Sequence, residues 1–316
     1  MDMPCRALGK TGLRVSRLCF GSLTLSPLQK NLPVAAAAAV LRAAFDAGVN
    51  FVDTAQYYRN YAQLRAGLDA FGGDVVLCSK TYAHTAELAR AAVEEARRAL
   101  GRDRIDIFLL HEQEGDDTLR GHRPALEELY RLKAQGVLRA VGISTHRVDG
   151  VKSAVRWGLD VVHPLYNLTG LGIEDGTPEE MGAAIGAAHD AGVGVFTMKA
   201  LGAGHLFARA EEALSWVLRH PAVDSVAVGM QTAAEVRANA AFFATGRFTH
   251  EADAALMSQV RRLHIEEDCA GCGACVKRCQ NGALTLRNGR AVADSARCLL
   301  CGYCAAVCET FSIKVV

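Results

Sequence analysis

Residues 50–58 read N-F-V-D-T-A-Q-Y-Y. Phe51 and Val52 make a short apolar strand that ends on a carboxylate, Asp53, and a phenol, Tyr58, follows on the next loop. In a parallel α/β barrel both side chains would stand at the C-terminal mouth, where such barrels keep their active sites. The next two strands end in the same manner. V-V-L-C-S-K (75–80) stops on Lys80, and I-D-I-F-L-L-H (105–111) stops on His111. An acid, a phenol, an amine and an imidazole at neighbouring strand ends make a proton-donating site.

Outward from this stretch the chain alternates. A hairpin is expected over residues 6–15, then strands at 18–21, 50–53, 74–79, 105–110, 137–143, 160–163, 194–198 and 225–228. Helices are expected between them at 34–47, 61–70, 85–100, 124–134, 148–157, 178–191 and 208–219, and after the last strand at 233–243. The helix at 85–100 has Thr85 as N-cap, Leu88, Val93, Ala96 and Leu100 on one face, and Gly101 as its stop. The run 105–110 is apolar apart from Asp106, as expected of a strand buried on both faces. Eight βα units in order predict a (β/α)8 TIM barrel with an N-terminal β-hairpin. An open doubly wound sheet is the alternative, but it would want a glycine-rich turn after the first strand, and none stands there. A last helix is expected at 251–263.

The chain has 316 residues, half of them hydrophobic, and a formal net charge of +1. That is longer than a single barrel of roughly 250 residues needs. The near-zero charge argues against nucleic acid as a partner. No apolar stretch reaches the about eighteen residues of a membrane span, and the start lacks the pattern of a secretory signal, so the expected place is the cytoplasm. Of eleven cysteines, eight lie between Cys269 and Cys308. In a cytoplasmic chain such a cluster argues for metal rather than disulfides. Cys5, Cys19 and Cys78 read as small hydrophobes.

A carbonyl carbon accepts hydride only if its oxygen gains a proton. Tyr58 can donate one, but a free phenol with a pKa of about 10 is a poor acid. The Lys80 ammonium would stabilise the phenolate, Asp53 would hold that ammonium in place, and His111 would orient the carbonyl oxygen. Taken singly, Asp53 reads as a loop cap, Lys80 as a solvated strand end and His111 as a core histidine. Their placement on consecutive strand ends favours a joint role. Tyr57 is a rival for Tyr58, and the spacing from Asp53 favours Tyr58.

R-A-L-G-K-T-G-L-R-V-S-R-L-C-F-G (6–21), V-D-T-A-x-x-Y (52–58), Lys80, I-D-I-F-L-L-H (105–111) and G-M-x-T-x-x-E-V-x-x-N (229–239) together resemble the aldo/keto reductase superfamily. The resemblance covers residues 6 to about 244. It implies a barrel that binds NAD(H) or NADP(H) across its C-terminal mouth, with Asp53, Tyr58, Lys80 and His111 as the catalytic set. It also implies cofactor contacts. Ser144 matches a residue that holds the nicotinamide carboxamide. Thr145 stands where Asn is usual, and His163, ahead of Asn167, where Gln is usual. In F-T-M-K-A-L-G-A-G (196–204), Met198 takes the place of a ring-stacking Tyr, followed by Lys199 and Leu201. Gly229, Met230 and Thr232 lead into a helix whose start suits a phosphate, and Glu235 and Asn239 fall at the adenosine half. Glu235 there would repel a 2′-phosphate, which tilts the expectation towards NADH.

The tail repeats with a period of 29 residues. C-x2-C-x2-C-x3-C occurs twice, as Cys269, Cys272, Cys275, Cys279 and as Cys298, Cys301, Cys304, Cys308. This is the two-cluster ferredoxin spacing, in which the fourth cysteine of each run serves the other cluster. One [4Fe-4S] cluster is therefore expected on Cys269, Cys272, Cys275 and Cys308, and a second on Cys298, Cys301, Cys304 and Cys279. Gly271, Gly273 and Gly302 would let the backbone approach closely. Short strands are expected at 283–286 and 312–315. Two four-cysteine zinc sites are the alternative. Residues 267–316 resemble bacterial-type 2[4Fe-4S] ferredoxins, apart from Gln280 and Glu309 where Pro is usual after the last Cys.

The expected organisation is a barrel over residues 1–265 and a small α+β dicluster ferredoxin-like domain over 266–316. The expected activity is a nicotinamide-dependent oxidoreductase that interconverts a carbonyl and an alcohol, with an external redox protein as a further partner. The alternative is an electron-transfer or redox-sensing protein whose barrel binds nicotinamide, or a flavin-bearing partner, with little turnover.

Overall fold

Strand periodicity decides what faces the barrel axis. Side chains alternate across a strand, so residues two apart share a face. Phe51, Cys78, Ile107, Leu109, Ala140, Val161 and Phe196 form one buried cluster with Leu8, Leu13 and Val15 of the hairpin. Their neighbours Val52, Leu77, Phe108, Leu110, Val141 and Val162 belong to a second cluster shared with the helices. The first set fills the barrel, with the hairpin as its floor. The second packs the outer ring. Continuing the inward parity by two residues reaches Asp53, Lys80, His111, His163 and Met198. The polar layer is thus the next storey above an apolar one.

The computed structural model describes residues 2–249 and 260–316. The hairpin pairs β1 (Cys5–Ala7) with β2 (Arg14–Ser16). The barrel strands are β3 (Leu18–Gly21), β4 (Phe51–Asp53), β5 (Val76–Thr81), β6 (Ile105–Leu110), β7 (Leu138–Thr145), β8 (Val161–Pro164), β9 (Gly194–Thr197) and β10 (Ser225–Gly229). They are parallel and close in chain order, β10 pairing back onto β3. The ring of helices comprises α1 (Val34–Asp46), α2 (Tyr61–Phe71), α3 (Ala86–Leu100), α4 (Asp116–Gly121), α5 (Arg123–Ala134), α6 (Val148–Arg156), α7 (Pro178–Asp190), α8 (Ala210–Leu218) and α9 (Ala233–Thr245). No described helix is long and apolar enough to cross a membrane.

Several local expectations shift. The third barrel strand lies two residues later than the expected 74–79, so Lys80 sits inside β5. Ser144 and Thr145 likewise lie within β7. Thr85 does cap α3, its hydroxyl accepting from Leu88 N at 3.3 Å. Leu88, however, is 48 % exposed, and the buried face is Ala89, Ala92, Val93, Ala96 and Leu100. The α3 surface facing the sheet is built from alanines, which lets the helix lie close and leaves Leu88 outside. Helix α4 falls where no helix is expected from the sequence. Of the helix expected at 251–263, residues 251–259 lie outside the described residues, and Leu263 begins a strand instead.

In the tail, β11 (Leu263–Ile265) pairs antiparallel with β14 (Ile313–Val315), and β12 (Leu284–Arg287) with β13 (Arg290–Ala293); the short helix α10 spans Ala274–Arg278. The strand pair β11–β14 brings the end of the chain back onto the barrel mouth. Val315 N donates to Ala203 O at 2.9 Å, and His205 Nε2 donates to Ile313 O at 2.9 Å. Gly204, at φ +88°, makes this approach feasible, because a Cβ there would overlap the Val315 carbonyl oxygen.

Candidate active site

Lys80 is 1 % exposed, and its ammonium is fully engaged. Nζ donates to Asp53 Oδ1 at 2.7 Å, to Asp53 Oδ2 at 2.9 Å and to Thr54 O at 2.8 Å, and it stands 3.5 Å from Tyr58 Oη. Burial alone would lower the Lys80 pKa, but Asp53, and then Tyr58, outweigh it and raise it. Burial would raise Asp53. Lys80, and after it His163, hold it at about 2. The pair is therefore ionised throughout the neutral range. Tyr58, not Tyr57, reaches Lys80; Tyr57 is half-exposed and packs edge-on to Tyr82.

Tyr58 reaches this position through a braced loop. Thr54 Oγ1 donates to Asn60 Oδ1 at 2.8 Å, and Asn60 Nδ2 donates to Ser22 O and Oγ at 2.9 and 3.0 Å. These buried bonds tie the start and end of the loop to β3. Burial dominates the Tyr58 pKa and pushes it up to about 12, Lys80 offsetting only part of that rise. Lys80 thus favours the phenolate as expected, but burial outweighs it, and Tyr58 holds its proton at neutral pH.

His111 lies edge-on to Tyr58, ring centroids 5.9 Å apart, and is stacked on Tyr82 at 4.5 Å. Burial, and then Lys80, push its pKa well below the ordinary value, so the ring is neutral. Its Nδ1 is buried without a protein partner. Tyr82 donates to Glu112, which anchors the stacking ring. His163 stacks on Phe196 at 3.9 Å and spends its Nδ1–H on the Phe196 carbonyl at 2.7 Å, leaving Nε2 3.7 Å from Asp53 Oδ2.

A cavity of about 1040 Å³ opens above these residues. Asp53, Tyr58, His111, His163 and Met198 line its floor. It runs on past Lys199, Leu201 and Gly229 to Thr232, Glu235 and Asn239 at the start of α9. Four expected cofactor residues are not on its wall. Ser144 Oγ accepts from Glu112 N at 2.9 Å, and Thr145 Oγ1 from Arg147 N at 3.0 Å. Asn167 is consumed by its own loop, its side chain bonding the Leu171 backbone at 2.9 and 3.1 Å. Met230 is packed in the outer core. At the far end, Thr232 Oγ1 accepts from Glu235 N at 3.1 Å, and the Glu235 carboxylate accepts from Gln231 N. Arg261 lines this end as well, a cation not foreseen from the sequence.

In the tail, Gly271, Gly273 and Gly302 all have positive φ, at +64°, +76° and +80°. Burial, and then the neighbouring Cys308, Cys269 and Cys272 thiols, raise Cys275. Cys308 thus lies with the first run. Burial, then Cys298 and Cys301, push Cys304 up to about 11. Cys279 Sγ accepts from Ala283 N at 3.3 Å. Among the described residues no three Cys, His, Asp or Glu side chains are gathered about a point that would hold a single metal ion.

The model of the aldo/keto reductase family matches residues 17–212, most of the barrel. The chain belongs to the aldo/keto reductase family. A model of 4Fe-4S binding domains matches residues 263–285 of the reductase. L-galactose dehydrogenase from Arabidopsis thaliana is 26 % identical to it over 277 residues, 75 % of this chain and 86 % of the relative. D-threo-aldose 1-dehydrogenase from a Pseudomonas species is 28 % identical over 184 residues, 48 % of this chain and 56 % of the relative. An aldo-keto reductase structure from Pseudomonas aeruginosa superposes with a TM-score of 0.66 at 27 % identity, covering 77 % of this chain and 94 % of that one. The protein is therefore an oxidoreductase with a TIM barrel and a 4Fe-4S ferredoxin-type region.

The reductase's mouth also contains residues that sequence reading passed over. Thr54 and Asn60 carry no pattern that marks them as a brace. Tyr82 and Glu112 lie between the expected elements, where no motif marks them. His163, expected as a cofactor contact, shares the inward parity of Val161 and also stands beside Asp53. Phe311 and Lys314, from the tail, stand at the barrel mouth because β14 returns there.

Proposed function

We propose that this aldo/keto reductase interconverts a carbonyl and an alcohol with NAD(H) or NADP(H), and that Tyr58 handles the proton. The observation that carries the proposal is the Lys80 ammonium, gripped by Asp53 and Thr54 and 3.5 Å from the Tyr58 hydroxyl, beneath a cavity of about 1040 Å³ that runs on to the start of α9. When bound, the nicotinamide supplies or accepts the hydride. The chain's own residues do the rest. Tyr58 donates its proton to the developing alkoxide, and Lys80 stabilises the phenolate left behind. The neutral His111 offers a ring N–H to the same oxygen. Asp53 keeps Lys80 charged and in register. The thioether of Met198 provides an apolar face on the cavity floor.

The start of α9 favours NADH. The amides of Gln231 and Glu235 are already occupied, by the Glu235 carboxylate and the Thr232 hydroxyl, and a carboxylate at that helix start opposes a second phosphate. Glu235→Gln is expected to lower the Kd for NADPH about 3- to 10-fold relative to NADH, a change of order 1 kcal/mol. Fluorescence titration of both nucleotides checks this. An unchanged ratio would assign selectivity elsewhere, with Arg261 next.

For the tail, we propose two [4Fe-4S] clusters within a domain over residues 266–316. The grouping of Cys275 with Cys269, Cys272 and Cys308 supports the exchanged fourth ligand. Anaerobically purified protein is expected to carry about eight irons and eight sulfides per chain. Four irons, or zinc, would refute the pair.

A second reading has support in the position of Lys314, which lies in the field of Cys308 and also lines the active cavity. The tail would then pass electrons to an external redox protein, the barrel turning over slowly. Clusters that bleach on adding NADH without substrate would favour it.

A further inference from the structure

The two cysteine runs of the tail repeat, but the residues between the cysteines do not. Ala270 and Gly271 stand between Cys269 and Cys272, whereas Leu299 and Leu300 stand between Cys298 and Cys301. Ala274 precedes Cys275, whereas Tyr303 precedes Cys304. The first loop is covered: a Cβ added at Gly271 would overlap the carbonyl oxygen of Gly289 in the β12–β13 turn. The second loop is open. Leu300 packs on the core of the tail, its backbone at φ +53°, while Leu299 is 72 % exposed and Tyr303 51 %. Apolar residues scattered singly over a surface mean little, but these two share one loop around an exposed cysteine, Cys301.

Cations surround this loop. The Arg278 guanidinium, one residue before Cys279, lies 5.1 Å from the centre of the Tyr303 ring. Lys277 is exposed beside it on α10. Arg297, one residue before Cys298, is exposed and rests its guanidinium against Gly282. Among the described residues none of the three has a carboxylate within ion-pair distance. The acids of the tail are placed differently. Glu266, Glu267 and Asp268 line the main cavity, and Glu309 follows Cys308 of the first set. Asp294 stands beside the second set, its carboxylate accepting from Ala296 N at 2.9 Å. Three cations against Asp294, or against Asp294 and Glu309 together, leave the rim positive. The thiolates add negative charge, but Cys304 is buried and Cys279 and Cys298 are half-buried, whereas the three cations reach into solvent.

We propose that the face around Leu299 and Tyr303 docks an electron-carrier protein whose own face is acidic around an apolar centre. Leu299 and Tyr303 form the desolvated middle, and Lys277, Arg278 and Arg297 the polar rim, the usual division of a protein interface. The inference rests on the two-cluster reading of the tail, since this face surrounds the cysteines expected to hold the second cluster. One electron passes between that cluster and the carrier, one being oxidised as the other is reduced, and no group is transferred.

The test uses the full chain, purified anaerobically, and two probes chosen for their charge: an acidic flavodoxin and a basic cytochrome c. Calorimetry is expected to show flavodoxin binding at about 20 mM salt, and binding about 10-fold weaker at about 300 mM, where exposed charges are screened. Arg278→Glu should weaken it about 10-fold and Leu299→Ser about 5-fold. Lys152→Glu makes the same change of charge at an exposed lysine of α6 and should stay within about 2-fold of the wild type. Carbodiimide joins lysines to carboxylates in contact with them, and should couple flavodoxin to Lys277 of the wild type rather than to Lys10, Lys133 or Lys152. Tighter binding of cytochrome c than of flavodoxin, coupling at the other lysines, or binding indifferent to Arg278→Glu overturns the proposal. A protein with about eight irons that binds no flavodoxin refutes the docking face and leaves the clusters standing. Binding that depends on Arg278 in a protein with about four irons keeps the face and refutes the second cluster.

Discussion

Tyr58→Phe is expected to lower kcat for carbonyl reduction by about 100- to 10,000-fold, the usual contribution of a positioned proton donor. The substitution removes one oxygen and leaves the ring against His111. Lys80 keeps its bonds to Asp53 and Thr54, so the floor of the cavity stays intact. Nicotinamide binding, read by fluorescence titration, should change little, since the far end of the cavity at Thr232 and Glu235 is untouched. The direction of reaction adds a second signature. Tyr58 holds its proton up to about pH 12 in the free protein. Reduction needs the protonated phenol and should be flat across neutral pH. Oxidation needs the phenolate and should rise as pH increases towards that value. Tyr58→Phe should abolish the rise. A variant with full activity would remove Tyr58 from the chemistry.

Lys80→Met is expected to cost about 3–5 kcal/mol of stability as well as activity, because it leaves the Asp53 carboxylate buried and unpaired. The double variant Asp53→Asn, Lys80→Met should cost clearly less than the sum of the singles, since no isolated charge remains. Denaturant titration of the four proteins measures the coupling. The sign with pH follows from Asp53. Its pKa is depressed to about 2 in the fold, against about 3.9 in an unfolded chain. Its contribution is therefore fully present above about pH 4 and is lost as pH falls through 2. In Lys80→Met the burial that Lys80 had outweighed pushes Asp53 upward, so acid should stabilise that variant relative to neutral pH. Simple additivity of the two substitutions would show that the pair is not coupled as the geometry requires.

The barrel was legible because its signal is periodic. Strands such as Ile105–Leu110 are, but for Asp106, apolar on both faces, and parity carries the eye from Phe51 to Asp53 and from Cys78 to Lys80. Strand ends were less legible: β5 runs to Thr81 and β7 to Thr145, since ladder bonds extend strands into polar residues that composition assigns to loops. Leu88 shows a different limit. Its helical spacing was plausible for the core, but neighbouring alanines set the helix–sheet distance and excluded it. The Tyr58 pKa could not be read from the pairing with Lys80, because burial, a property of the whole fold, contributes more. The cysteine spacing was local and therefore plain. The return of β14 to Ala203, which makes tail residues part of the mouth, depends on pairing over long sequence distance and left no pattern in the chain.

The central claim is direct hydride transfer to a carbonyl carbon in the barrel. The most direct measurement follows deuterium from [4-2H]NADH into the alcohol, with mass spectrometry of product formed from an aldehyde, and with the converse labelling in D2O. The account predicts one deuterium at the former carbonyl carbon from the labelled nicotinamide and none at that carbon from solvent. Solvent deuterium at that carbon would contradict it, and would mean that electrons reach the substrate by way of the clusters or another carrier.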